Sequence, residues 1–490
     1  MASEPETPLL RADVAVVGAG AAGIFAALVA AREGARVALV SRRPLDQSAS
    51  YWAQGGIAAA LAHDDSVAEH LADTMAAGRG LGRASAARVL CEESPERVRD
   101  LQRLGVRFDG DRRGGGLALG LEGGHSTRRV VHAGGSATGR RITRQLSALA
   151  ATHERITVLE WTTAGAIWTS EGRCVGLRGD TRDGDSVLVL SRGTILATGG
   201  AAALWARTTN PRGAIGAGIT LAHAAGAELA DLEFQQFHPT ALVHDGDRDG
   251  FLITEAIRGE GATLVNPAGE RFVDELAPRD EVALAVQRES AAGPVHLDMR
   301  EVDPGSFPNI AQALAEVGLD SRRELIPVAP AAHYTMGGIA TDLEGRSSIP
   351  GLHAIGECAC NGLHGANRLA SNSLADCFVF GRRAALAAAA GPAPQPVVPE
   401  PPPPGPNPVP VPATREALWR HGGLERSPEG LVELAEDPFP LAALIARCAL
   451  AREESRGAHR RTDHPTAQPQ LAGAHSLVDA AGEHRFESWD

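Results

Sequence analysis

The chain has 490 residues, of which 43% are hydrophobic, enough for about two to four domains with their own cores. Its 47 Lys and Arg against 60 Asp and Glu give a net charge of −13, which argues against nucleic acid or an anionic membrane as partner. No apolar run reaches the roughly 18 residues of a membrane span, the first apolar stretch is a strand rather than a signal peptide, and the six scattered cysteines form no CxxC pair. The expectation is a cytoplasmic protein with free thiols and no metal.

In chain order, the apolar run Val14–Val17 reads as a strand that ends in Gly18-x-Gly20-x-x-Gly23 and passes into a helical pattern at Ile24, Leu28 and Ala31. Gly18 permits a tight turn, Gly20 lets backbone approach a pyrophosphate and Gly23 allows close helix–strand packing. The loop Gly18, Ala19, Gly20, Ala21, Ala22 and Gly23 is therefore a candidate cofactor cradle. A second strand, Val37–Val40, ends in Ser41 and Arg42. An NAD site would carry an acid there for the ribose, so the pattern points to FAD with another adenosine contact. Next, Ser50, Tyr51, Gln54, Gly55 and Gly56 combine aromatic residues with a Gly pair, suited to a flat ring against backbone. A strand at Thr194–Ala197 feeds another Gly turn. From about Phe234 to His333 the elements become shorter and mixed, with polar motifs at His238–Thr240, Thr254–Glu255 and Pro278–Asp280. The run Leu352–Glu357 reads as a strand ending in an acid, making Glu357 a candidate for the missing ribose ligand. Residues 362–374 form a Gly-rich loop around Arg368 that enters a helix at Ser373 and Leu374. Backbone N–H groups and a fixed guanidinium suit an anion there.

The expected architecture is α/β. It comprises a nucleotide-binding domain over 8–232 that returns at 336–390, and a capping domain inserted at 233–335. A Pro-rich spacer at 391–412 follows, then a short helical domain at 413–465 and a disordered tail at 466–490. The C-terminal helices are expected at 414–421 and 441–452.

The pieces GAGAAG, YWAQGGIAA, LEGGHS, VHAGGSATG, LATGG, LEFQQFHPTAL, LITEAIRGEGA, ELAPRD, AAHYTMGGI and GLHGANRLASNSL resemble, in order and spacing, the L-aspartate oxidases. That group sits among the flavoproteins that include succinate dehydrogenase and fumarate reductase subunits. The resemblance runs from about Asp13 to Gly381, with a weaker stretch at 451–465. It implies a Rossmann-like FAD-binding domain with an inserted α+β cap. It also implies oxidation of L-aspartate to iminoaspartate, with oxygen or fumarate as acceptor, as the first step of NAD biosynthesis through quinolinate. Iminoaspartate would pass to quinolinate synthase. Arg279 matches the family's proton donor and acceptor, a role alternative to a purely electrostatic one at the same position. His238, Thr254, His333 and Arg368 match positions that hold the substrate's two carboxylates. Glu122 stands where succinate and fumarate enzymes carry an aromatic residue, and a carboxylate there can pair with an α-ammonium. Ala49, five positions before Gln54, replaces the histidine that binds FAD covalently in respiratory relatives, so the expected FAD is non-covalent. The departures are Ala217 and Ser136 where acids are common, Leu121 where an Arg is common, and the short C-terminal region. They leave a soluble fumarate reductase and a non-catalytic FAD-binding homologue as alternatives.

Overall fold

Short, mostly apolar runs of three or four residues are too brief for helices and read as strands, buried on both faces where they are central in a sheet. In the computed structural model, which describes residues 8–111, 115–392, 398–405 and 408–490, five such runs make one parallel sheet. Its order is Leu352–Ala354, Gly193–Leu196, Val14–Val17, Val37–Val40, Ile156–Leu159. The helix Ala21–Arg32 follows the first strand directly and packs against Asn372–Ala389, with Phe25 and Phe378 edge to face at 5.2 Å. Two of the helices that face this sheet thus come from opposite ends of the first 390 residues. Beside it lies a four-stranded sheet, Leu9–Arg11, Ser186–Leu190, Arg173–Thr181 and Thr162–Ser170.

A second unit builds its own core. The strands Gln235–Leu242, Ile326–Thr335, Val295–Asp298 and Thr263–Val265 form an antiparallel sheet. Ile253, Leu264, Val282, Val286, Leu297 and Leu314 cluster beneath it and the helices Arg279–Glu289 and Pro308–Glu316. Every residue of Gln235–Leu242 is buried, so its polar side chains point into the protein and must find partners there.

The C-terminus differs from the expectation in two ways. Three helices follow the Pro-rich span, not two: Pro412–His421, Pro428–Leu434 and Pro440–Ala451. Each begins with proline, whose fixed φ suits the first turn. The middle helix has only 7 residues and is capped by Ser427 Oγ, which accepts from Gly430 N at 3.1 Å; it is too short to show periodicity in the sequence. The tail expected to be disordered instead contains the hairpin Ala474–Val478 and His484–Ser488, which extends the sheet of Leu229–Ala230, Gly338–Ala340 and Ala359–Cys360. Its polar composition is misleading because its partners are distant and buried. His475 Nδ1 lies 2.6 Å from Asp231 Oδ2, and Ser476 Oγ donates to Glu233 Oε2 at 2.7 Å.

The Pro-rich span lies along the four-stranded sheet: Trp168 Nε1 donates to Glu400 O at 2.8 Å. Its residues 393–397 and 406–407 lie outside the described residues. Among the described residues no helix is long and apolar enough to cross a membrane, and no cluster of His, Cys, Asp and Glu is arranged to hold a metal. The six cysteines are free thiols, five of them buried.

Candidate functional site

The glycine loop after the first strand is an uncovered helix N-terminus. Gly18 has φ +110°, and a Cβ there would overlap the Ala197 carbonyl; one at Gly23 would overlap the Gly18 carbonyl. Gly20 caps the helix without a side chain, so the first-turn N–H groups face a bare cradle suited to a diphosphate. Among them, Ala21 N is held by Ser50 Oγ at 3.0 Å. At the end of the second strand, Ser41 Oγ donates to Arg43 O at 2.5 Å and Arg42 Nη2 to Gly213 O at 3.1 Å. Both side chains shape that end of the cradle. Tyr51 lies under the guanidinium groups of Arg140 and Arg144, 5.7 and 5.8 Å from its centroid.

Gln54 Nε2 donates to Leu252 O at 2.8 Å, whereas its Oε1 and Ser48 Oγ are buried without a partner. Gly56 N donates to Ser371 Oγ at 3.1 Å. Ser373 Oγ accepts from Arg368 Nη1 at 2.7 Å, and Leu374 packs into the main core. A glycine cradle at a helix N-terminus, with orphaned buried polar atoms beside it, fits FAD.

Glu357 follows a strand remote from Val37–Val40. Its strand is three steps from Val37–Val40 across the sheet, roughly 14 Å at the usual strand spacing. Its carboxyl accepts from Thr335 N at 2.9 Å. Burial pushes it up to about 7, against hydrogen bonds from Thr335 and Gly200 and the charge of Arg368. It borders the turn Thr198–Gly200, over the opposite half of the sheet.

The substrate candidates converge where the second unit meets this sheet. Arg279 opens its helix just after Pro278, is buried, and donates from Nε to Glu255 Oε2 at 2.6 Å and from Nη1 to Gln236 Oε1 at 3.0 Å. Arg368 donates to the same Gln236 oxygen from Nε at 3.3 Å and Nη2 at 3.2 Å, and its guanidinium lies 4.4 Å from the Tyr334 ring centroid. Burial, then the charge of Arg279, lowers Arg368 to about 10.

His238 and His333 face each other with ring centroids 5.1 Å apart. Burial foremost, then the charge of Arg279, holds both well below the ordinary histidine value. They are neutral hydrogen-bonding groups. His333 Nδ1 is fixed by Thr209 Oγ1 at 2.7 Å, and Thr254 is buried immediately before Glu255. Arg279 is already paired with Glu255, but Arg368 has only the neutral Gln236 oxygen and the Ser373 hydroxyl as hydrogen-bond acceptors, so positive charge remains that a substrate carboxylate would balance.

Glu122 supplies the opposite charge. It is 2% exposed, and its Oε2 accepts from Ser371 Oγ at 2.6 Å. Burial alone would push its pKa up, but His132, Ser371 and the charge of Arg279 outweigh it and bring the carboxyl down to about 2. It is ionised at neutral pH. Ser371 has φ +60°, a left-handed backbone unusual outside glycine and concentrated at functional sites. Its hydroxyl joins the Gly55–Gly56 turn to Glu122.

Four residues went unassigned in the sequence. Gln236 bridges the two arginines. Glu255, visible only as part of a polar motif, pairs with Arg279 and, at 3.2 Å, with Arg258, an i,i+3 spacing that could have been read. Ser371 acts on Glu122 from 249 residues away, and His132 from just past the strand Val130–Val131.

Comparison with known proteins shows the family. The model of the FAD binding domain family matches residues 13–374, and that of the fumarate reductase flavoprotein C-terminus matches 429–488. An L-aspartate oxidase of Caulobacter vibrioides is 46% identical over 95% of this chain and 96% of its own. One of Agrobacterium fabrum is 45% identical over 91% and 90%. The E. coli quinol fumarate reductase superposes with a TM-score of 0.86 at 29% identity, covering 98% of this chain and 96% of its own. The chain belongs to the L-aspartate oxidase family of FAD-dependent oxidoreductases.

Proposed function

We propose that this protein oxidises L-aspartate to iminoaspartate, with oxygen or fumarate as electron acceptor. The observation that carries the reading is Glu122: a buried carboxylate, ionised by its neighbours, within the electrostatic reach of Arg279. Arg279, Arg368, His238, Thr254 and His333 are suited to the two carboxylates of the substrate, and Glu122 to its ammonium. FAD, held without a covalent bond in the glycine cradle, would supply the hydride acceptor for Cα and the electron donor for oxygen or fumarate.

Oxidation removes one hydride from Cα and one proton from nitrogen. Glu122, whose conjugate acid is strong, serves as charge partner rather than base. Arg279 is the group suited to hold or move a proton. Its Nε–H contacts Glu255, which contacts Arg258, which in turn donates to the Glu275 carbonyl. This buried chain fixes the Arg279 guanidinium in place at the site. Arg279 also stabilises negative charge on the substrate, so electrostatic and proton-moving roles share one position.

The resemblance further supports a cytoplasmic role at the start of NAD biosynthesis, with iminoaspartate passed to quinolinate synthase. Anaerobic incubation of the FAD-loaded protein with L-aspartate and fumarate tests the reaction. Succinate should form in step with aspartate loss. Fumarate reduction by a chemical reductant with no reaction of aspartate would favour the second reading, a soluble fumarate reductase, which the fold relatives and shared arginines support and Glu122 opposes.

A further inference from the structure

We propose that His132 is a second reader of the substrate's ammonium group, acting beside Glu122 to separate aspartate from amine-free dicarboxylates; this rests on the function proposed above. Glu122 has one oxygen committed and one open. Oε2 is taken by Ser371 at 2.6 Å. Oε1 is buried with no hydrogen-bond partner, and so is His132 Nε2, 3.5 Å away. That separation is too long for a good hydrogen bond between them. Two orphaned polar atoms, one anionic and one able to carry a lone pair, therefore face a common space.

The imidazole fits at this position because Gly120 lacks a side chain. The short strands Leu119–Gly120 and Val130–Val131 pair so that Gly120 opposes Val130. A Cβ on Gly120 would stand 2.7 Å from His132 Cε1 and 3.2 Å from Nδ1. On the other side, a Cβ at Gly55 would come 3.9 Å from Glu122 Oε1. The open oxygen therefore borders the Gly55–Gly56 turn. Glycine on both sides keeps the pair uncovered.

An ammonium group carries three N–H donors. The open Glu122 oxygen takes one. His132 can take a second through Nε2 in the tautomer that carries the proton on Nδ1, the ammonium then replacing the imidazole as the partner of Glu122. Succinate and fumarate present C–H at that place and would leave both atoms unpaired. Sites built to hydrogen-bond a group reject analogues that lack it far more strongly than apolar pockets reject a methylene.

The test uses the FAD-loaded full-length protein with His132→Ala and His132→Asn. In His132→Ala the KM for L-aspartate should rise about 10- to 100-fold, the loss expected for one hydrogen bond to a charged group. Fumarate reduction by chemically reduced enzyme and inhibition by succinate should stay within about twofold. His132→Asn, whose amide oxygen can accept an N–H, should recover part of the loss. Combined with Glu122→Gln, His132→Ala should cost less than the product of the two single effects. Aspartate and fumarate activities falling together, an unchanged aspartate KM, or fully multiplicative effects would each overturn the assignment. Wild-type protein that reduces fumarate but is inert to aspartate would overturn the parent reading as well.

Discussion

Replacing Glu122 with Gln changes the charge of one buried group and little else. The side chain is 2% exposed, and Gln keeps an oxygen for Ser371 Oγ, now 2.6 Å from Oε2. What disappears is the attraction between an ionised carboxylate and the substrate ammonium in a site closed to water. Breaking one partner of such a pair costs about 3 kcal/mol, or about 100-fold in aspartate kcat/KM. Fumarate has no ammonium, and removing a negative charge near Arg279 and Arg368 helps its carboxylates. Fumarate reduction should therefore stay within about threefold or improve. Steady-state kinetics of both reactions on protein of equal flavin content make the comparison. Equal losses in the two directions would refute the role of Glu122 as the ammonium partner and leave it a structural acid.

Gly18→Ala would force a Cβ against the Ala197 carbonyl at φ +110°; strain of about 1–3 kcal/mol should lower both flavin content and Tm, and protein that keeps FAD unchanged would contradict the cradle. Ala217 opens the helix beside Gly218, which packs on Thr198 next to the Glu357 turn. Restoring an acid with Ala217→Asp should tighten FAD binding by about tenfold, one hydrogen bond's worth, as read by flavin fluorescence titration. Burial raises Glu357 and Asp376 to about 7, above an unfolded value of about 4. Their contribution to stability is therefore full below about pH 4 and lost as pH rises through about 7. Tm should fall across that window, and Asp376→Asn should flatten the slope; an unchanged slope would refute it. Deleting residues 474–490 would strip Asp231 of His475 and Glu233 of Ser476. Unpaired buried acids are costly, so thermal unfolding should shift down by more than 10 °C, at about 4 °C or less per kcal/mol for a chain this long.

What could be read from the sequence was local. The glycine cradle, the Gln54–Gly56 turn and the Arg368 loop each depend on a few adjacent residues whose backbone needs are written in their types. The candidate substrate residues were recognisable as motifs, and the structure brings Glu122, His238, His333, Arg279 and Arg368 to one place. Long-range partnerships were not legible. Gln236 gains its importance from Arg368, 132 residues away, and Ser371 from Glu122. The tail reads as polar and unstructured because its hairpin is completed by Asp231 and Glu233. The distance of Glu357 from Val37–Val40 was equally hidden, because strand order, unlike strand existence, is not encoded in neighbouring residues.

Anaerobic addition of L-aspartate to the FAD-loaded protein tests the central claim most directly, with the visible flavin absorbance as readout. Bleaching by L-aspartate but not by succinate, reversed on admitting air, is the predicted result. Flavin that stays oxidised with L-aspartate, yet is reoxidised by fumarate after chemical reduction, would contradict it.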